Sequence, residues 1–230
     1  QNKGITTIVI LFKFSFLQFS LYLCSSKFTI MSKIPVTVYA EMTPNPSTMK
    51  FVANNYLIDP SSSAEFTSQS ETKGYSPLAD ELFNFPFVKG VFIAANFVSV
   101  TKNDALSWDF VTTELRDFIR NYIADGKEIL TRLPDPKPAV TEDKTIDTSN
   151  YSPSEFDEAI KGLLDEYVKP AVESDGGAIE FRNFDNGVVT VVLRGACSGC
   201  PSSTQTLKGG IEQLLTQHIP EVKEVVAESM

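Results

Sequence analysis

Histidine is nearly absent from this chain and cysteine is scarce, with one of the former and three of the latter in 230 residues. Three cysteines make a poor disulfide framework: Cys24 stands alone, and Cys197 and Cys200 are only three positions apart. A C-x-x-C pair with no other core cysteine points to a reducing compartment and to metal or redox chemistry. Basic charge is also in short supply. Lys and Arg number 20 against 29 Asp and Glu, a formal net charge of −9. That excludes nucleic acid as the main partner, because phosphate binding needs a basic face. Such acidity reads as a soluble surface, and no membrane partner is expected. The remainder, 42% hydrophobic and 21% charged, is ordinary globular composition.

Acidic residues are missing altogether from the first thirty positions, which carry Lys3, Lys13 and Lys27. Ile5–Leu23 is rich in Phe, Leu and Ile, with Lys13 in its middle. At face value this is a signal peptide or a membrane anchor. Against that reading, position 1 is Gln, the first Met is Met31, and Ser25-Ser26-Lys27-Phe28 is a weak cleavage site. The residue bias matches translated AT-rich non-coding DNA. Residues 1–30 are therefore expected to be a gene-model extension or a non-native leader. An N-terminus upstream of Met31 in the native protein, found by N-terminal sequencing, would overturn this. The segment has no arginine, so it makes a poor organellar transit peptide, and a bacterial cytoplasm is the expected location.

Residues 131–150, TRLPDPKPAVTEDKTIDTSN, contain three prolines and no apolar periodicity, and are expected to be a linker. They divide a domain over 35–130 from one over 151–230. In the first, Val36–Tyr39 alternates as a strand does, and Thr43-Pro44-Asn45-Pro46-Ser47 breaks the chain. Met49–Leu57 is extended again. Ser76-Pro77 opens a short helix, Val88–Ala95 and Phe97–Thr101 pair as strands, and Ser107 caps a helix that stops near Gly126. That helix carries Val111, Leu115, Phe118, Ile119 and Tyr122 on one face.

In the second domain, Ser152-Pro153-Ser154-Glu155 reads as a capping box. It heads a helix with Phe156, Ile160, Leu163, Leu164, Tyr167 and Val168 on one stripe, ended by Pro170. Ala178–Phe184 and Val188–Arg194 are strands joined by a tight hairpin turn at Asp185-Asn186-Gly187. Pro201 starts a helix with Leu207, Ile211, Leu214 and Leu215 inward, and Val222–Ala227 is a third strand. The fold class is α+β, two small domains, the second α-β-β-α-β with a three-stranded sheet.

Cys197 and Cys200 leave the end of a strand through Gly195-Ala196 and sit just before a helix. Free N–H groups and the positive end of the helix dipole there favour thiolate. Two thiolates do not complete a metal site, since zinc and iron–sulfur sites usually take four ligands. His218 lies roughly 25 Å along the same helix and is expected to be a cation near its C-terminus. The economical solution is one C-x-x-C from each of two chains around a single cluster, for which 4Fe–4S is the natural size. A thioredoxin-like redox pair and half of a zinc knuckle are the alternatives. Gly176-Gly177 reads as a helix-to-strand turn, with close approach to a ligand as the alternative, Arg194 and Lys208 as solvated surface or cluster-balancing charge, and Trp108 as core or helix edge.

Gly195-Ala196-Cys197-Ser198-Gly199-Cys200-Pro201-Ser202-Ser203, with Thr206-Leu207-Lys208 and Ile211-Glu212 after it, resembles the C-terminal domain of NifU-like (Nfu-type) proteins. Val168-Lys169-Pro170, Ser174-Asp175-Gly176-Gly177 and Ile219-Pro220-Glu221-Val222 fit the same pattern. The first domain resembles the Nfu N-terminal domain through Thr43-Pro44-Asn45-Pro46, Met49-Lys50-Phe51 and Val98-Ser99-Val100-Thr101-Lys102 before Trp108. The resemblance implies an iron–sulfur cluster scaffold or carrier, not an enzyme. It would bind its cluster between two chains through Cys197 and Cys200 and pass it to apo-proteins, in company with upstream assembly proteins. The runner-up is a thiol–disulfide oxidoreductase using the same cysteines. The resemblance assigns the first domain to client or partner recognition without naming a residue for it.

Overall fold

Each half of the chain builds its own sheet and its own core. The computed structural model describes residues 35–134, 154–198 and 201–229. The expectations for the leader 1–30, for the bulk of the linker, for Ser152-Pro153 and for Cys24, Gly199 and Cys200 lie outside the described residues.

The first domain contains β1 (Val38–Met42), β2 (Thr48–Ala53), β3 (Ser63–Phe66), a single helical turn α1 (Gln69–Thr72), α2 (Pro77–Leu82), β4 (Val88–Ala94), β5 (Phe97–Lys102) and α3 (Trp108–Ala124). Its strands pair antiparallel in the order β1-β2-β5-β4-β3. Alternation along the strands separates two faces. Phe51, Val91, Ile93, Val98 and Val100 point to one side, where Val111, Leu115, Ile119 and Tyr122 of α3 cover them. Val52, Phe92, Ala94 and Phe97 point to the other and form a smaller cluster with Ala178 of the second domain. Burial on both faces explains why β2 is buried at every position.

The helix signals hold locally. Ser76 Oγ accepts from Ala79 N with Pro77 at the first helical position, and Ser107 Oγ accepts from Asp109 N at the head of α3. Gly126, at φ +68°, follows the end of α3. The strand expected over Met49–Leu57 stops at Ala53, and Leu57 N donates to Ala95 O at 2.7 Å instead of continuing the ladder. β3 and α1 lie in a segment for which the sequence offers no clear periodicity.

Tyr122 is buried at 3% exposure and donates its hydroxyl to Glu128 O at 2.8 Å. Burial, then the negative charges of Glu81 and Glu128, push the phenol from 10.0 up to about 12. The neutral phenol is the form the fold favours. Its contribution to stability is complete below pH 10 and is lost as pH rises toward about 12. Titration of phenolate absorbance is expected to show Tyr122 ionising late, and Tyr122→Phe should remove that contribution.

The second domain begins with α4 (Asp157–Leu163), a π-helical turn (Leu164–Val168) and α5 (Lys169–Ser174), which run on without a break. One expectation changes here. Ser154 Oγ accepts from Phe156 N at 3.2 Å and donates to Asp157 Oδ1 at 2.7 Å, while Phe156, the residue flanking the helix, makes no side-chain cap. Pro170 does not end the helix. Lys169 N donates five residues back to Leu164 O, and this widened turn makes room for the pyrrolidine ring, whose missing N–H would have broken an α-helical ladder. The inward stripe becomes Ile160, Leu164, Val168 and Val172, and Tyr167 turns outward at 55% exposure.

After the helix come β6 (Gly177–Asp185), β7 (Val188–Gly195), α6 (Pro201–His218) and β8 (Glu224–Ser229). Asn186 and Gly187 have φ of +52° and +91°, the two-residue turn that matches the twist of a hairpin. β7 is central, antiparallel to β6 and parallel to β8. The α6 crossover makes that parallel pairing possible. Ile211, Leu215 and Ile219 pack on Val189, Val191, Leu193 and Val225.

Candidate functional site: the cysteine loop

The cysteine loop lies where β7 gives way to α6, at the carboxyl end of the central strand and the start of the parallel crossover. In open α/β arrangements this is where ligands bind. Ser198 closes the turn by donating its N–H (3.1 Å) and its hydroxyl (2.8 Å) to Gly195 O. Thr204, one turn into α6, donates its hydroxyl to Cys197 O at 3.1 Å. Ala196 N donates to Gly176 O at 3.2 Å, which ties the loop to the turn between α5 and β6.

Cys197 is 6% exposed and belongs to the core of the second domain. Its sulfur lies against Gly177, where an added Cβ would stand 2.8 Å from Sγ. Burial, followed by the negative charge of Asp175, pushes the thiol up to about 11. The expectation that the helix N-terminus makes this group a thiolate is therefore corrected for the conformation described. Burial is the larger of these two causes, because the sulfur points inward.

Four polar side chains of the first domain converge on this loop and on the turn beside it. Glu65 Oε1 accepts from Gly195 N at 3.1 Å and from Ser198 Oγ at 3.4 Å. Asn45 Nδ2 donates to Ala196 O at 3.3 Å. Ser99 Oγ donates to Gly176 O at 2.7 Å, the same carbonyl that accepts from Ala196 N. Lys50 Nζ donates to Ser174 O at 3.1 Å, at the negative end of α5, and pairs with Glu41 at 3.2 Å. Asn45, Lys50 and Ser99 are all buried. Asn45 is held in place because its own turn is tightly bonded. Thr43 Oγ1 donates to Asn45 O and Thr48 O, Ser47 N donates to Asn45 Oδ1, and Trp108 Nε1 donates to Pro46 O.

Other residues singled out in the sequence fall elsewhere. His218 ends α6 with Nδ1 3.0 Å from Leu214 O, which fits the reading of a residue at a helix C-terminus. Arg194 pairs with Glu180 at 2.8 Å and Lys208 with Glu224 at 3.4 Å. Trp108 packs partly buried at the head of α3. Gly176, at φ +83°, does turn the chain, and it is also a point of close approach, since a Cβ there would meet Ser99 Oγ at 2.9 Å. Among the described residues there is no group of three or more His, Cys, Asp or Glu able to hold a metal ion, and no helix is long and apolar enough to cross a membrane.

The family model described as "Scaffold protein Nfu/NifU N terminal" matches residues 38–126, and the NifU-like domain matches 160–226. A NifU-like protein of Schizosaccharomyces pombe is 32% identical over 87% of this chain and 75% of its own length. The chain belongs to the Nfu/NifU scaffold family. NifU-like protein 4, mitochondrial, of Arabidopsis thaliana is 37% identical over 83% of the chain. The NFU1 iron-sulfur cluster scaffold homolog, mitochondrial, of Drosophila willistoni is 34% identical over 85%. The chain spans 65% of the length of each of these two relatives. As a member of the Nfu/NifU family it joins proteins described as scaffolds. The named relatives also overturn the bacterial cytoplasm expected from the arginine-poor residues 1–30: they are eukaryotic, and two are mitochondrial by name. The composition of a segment bears on compartment only where that segment is the one an import machinery reads.

Proposed function

We propose that this chain is an iron–sulfur cluster scaffold and carrier of a eukaryotic mitochondrion. It takes up a 4Fe–4S cluster as cargo between two copies of itself, through Cys197 and Cys200 of each, and passes it to apo-proteins. The observation that carries the reading is the Cys197 turn at the carboxyl end of β7, in a domain of the NifU-like family. Ligand arithmetic supports sharing between chains. One C-x-x-C supplies two thiolates, a cluster of this kind takes four, and no described residue group offers the other two. A twofold axis through the cluster provides them with no further residue.

Anaerobic reconstitution of the full chain with iron and sulfide tests this. The expected product is a brown dimer holding about two irons per chain, the share of one four-iron cluster per pair. A chain that stays colourless, or that takes a full complement of iron while its mass in solution remains that of a monomer, would refute the reading.

A further inference from the structure

We propose that the outer face of the first-domain sheet is a docking surface for the chain's own cysteine loop, and that it latches the loop in a conformation unable to ligate a cluster. The proposal rests on the reading of Cys197 as a cluster ligand. A ligand to a cluster shared with a second chain must present its sulfur at the surface. In the structure that sulfur points into the second domain against Gly177. The loop has to turn over before Cys197 can ligate, and bonds from the first domain hold the backbone just ahead of it and the Ser198 side chain just after it. Glu65 binds Gly195 and Ser198, and Asn45 binds Ala196. Ser99 secures the Gly176 carbonyl to which Ala196 is tied.

The surface is built for this occupant. Three first-domain segments that stand out in the sequence, 43–47, 49–51 and 98–102, each send one buried polar side chain to the loop or its supporting turn: Asn45, Lys50 and Ser99. Buried polar groups are costly unless they are paired, and here each finds a backbone partner in the second domain. The apolar part fits as closely. Phe92 sits where a Cβ on Gly195, at φ +66°, would come within 2.8 Å of its ring, so the loop meets that ring through a residue without a side chain. Docking and cluster ligation are thus alternative states of one loop, and loading requires release of the first domain.

The test uses the full reduced, metal-free chain and its variants Glu65→Ala and Asn45→Ala, which break separate bonds to the loop and touch neither its sulfur nor either core. Native thermal melts establish that each variant folds. Alkylation of Cys197 by iodoacetamide, read by peptide mass spectrometry, is expected to run about tenfold faster in Glu65→Ala, the size of effect that losing one charge-assisted hydrogen bond produces. Asn45→Ala should show a smaller acceleration, and cluster assembly should be faster in both. Alkylation at the wild-type rate in both folded variants overturns the latch, as does faster alkylation with unchanged assembly rates. If no protein takes up a cluster, the carrier reading fails instead, and the alkylation rates alone decide whether the loop is docked.

Discussion

Replacing Cys197 or Cys200 by serine is expected to abolish the colour of the reconstituted protein, with bound iron falling from about two per chain to near zero. The reason is ligand count. With two thiolates per chain and no described residue group to stand in, removing one leaves a pair of chains with two ligands out of four. A serine hydroxyl is a poor replacement, because soft thiolates are what select iron–sulfur clusters. At position 197 the substitution also places a hydroxyl in the second-domain core, where the sulfur lies at 6% exposure. This costs about 1–3 kcal/mol of stability if the hydroxyl finds no partner. Thermal melts of the metal-free variants separate the two effects. A folded serine variant that keeps its iron and its dimer would remove these residues from the site.

The second large effect is expected from Leu215→Ala. Leu215 is fully buried on α6, between the similarly buried Ile211 and Ile219, and these three residues seat the helix on the β6-β7-β8 sheet. Truncating a fully buried leucine costs about 2–5 kcal/mol, comparable to the total stability of a small domain. The second domain should therefore be largely unfolded or unfold at much lower urea concentration. Cluster uptake should fall with it, since α6 fixes one end of the cysteine loop through Thr204. Urea titration followed by far-ultraviolet circular dichroism is the measurement. An unchanged midpoint would mean that α6 is not seated by this residue.

The parts of the fold carried by local chemistry were legible in the sequence. The caps at Ser76 and Ser107, the Asn186-Gly187 turn and the stripe along α3 follow from hydrogen bonding and periodicity within a few residues. The location of Cys197 at a strand-to-helix turn was legible for the same reason. What was missed depends on distant partners. β3 is four residues long and alternates only through Ala64 and Phe66, so Glu65 carried no signal that it would reach a loop 130 positions away. The inward turn of the Cys197 sulfur depends on Gly177 and on packing from the whole second domain. Passage of the helix through Pro170 depends on a π turn, which a 3.6-residue period does not anticipate. One clue to the docked face was present. Lys50 and Ser99 each stand between two apolar residues of a strand, and a polar residue buried there needs a partner from elsewhere.

The parallel pairing of β7 with β8 has a consequence during synthesis. Every strand of the first sheet lies between residues 38 and 102, so that sheet can form while the ribosome is still adding the second domain. The second sheet is completed only by residues 224–229, about thirty positions after the cysteine turn. A nascent chain therefore passes through an interval in which the Cys197 thiol has left the exit tunnel and no finished sheet shelters it. Throughout that interval a folded neighbour, carrying Asn45, Glu65 and Ser99 on its outer face, is tethered to the same chain.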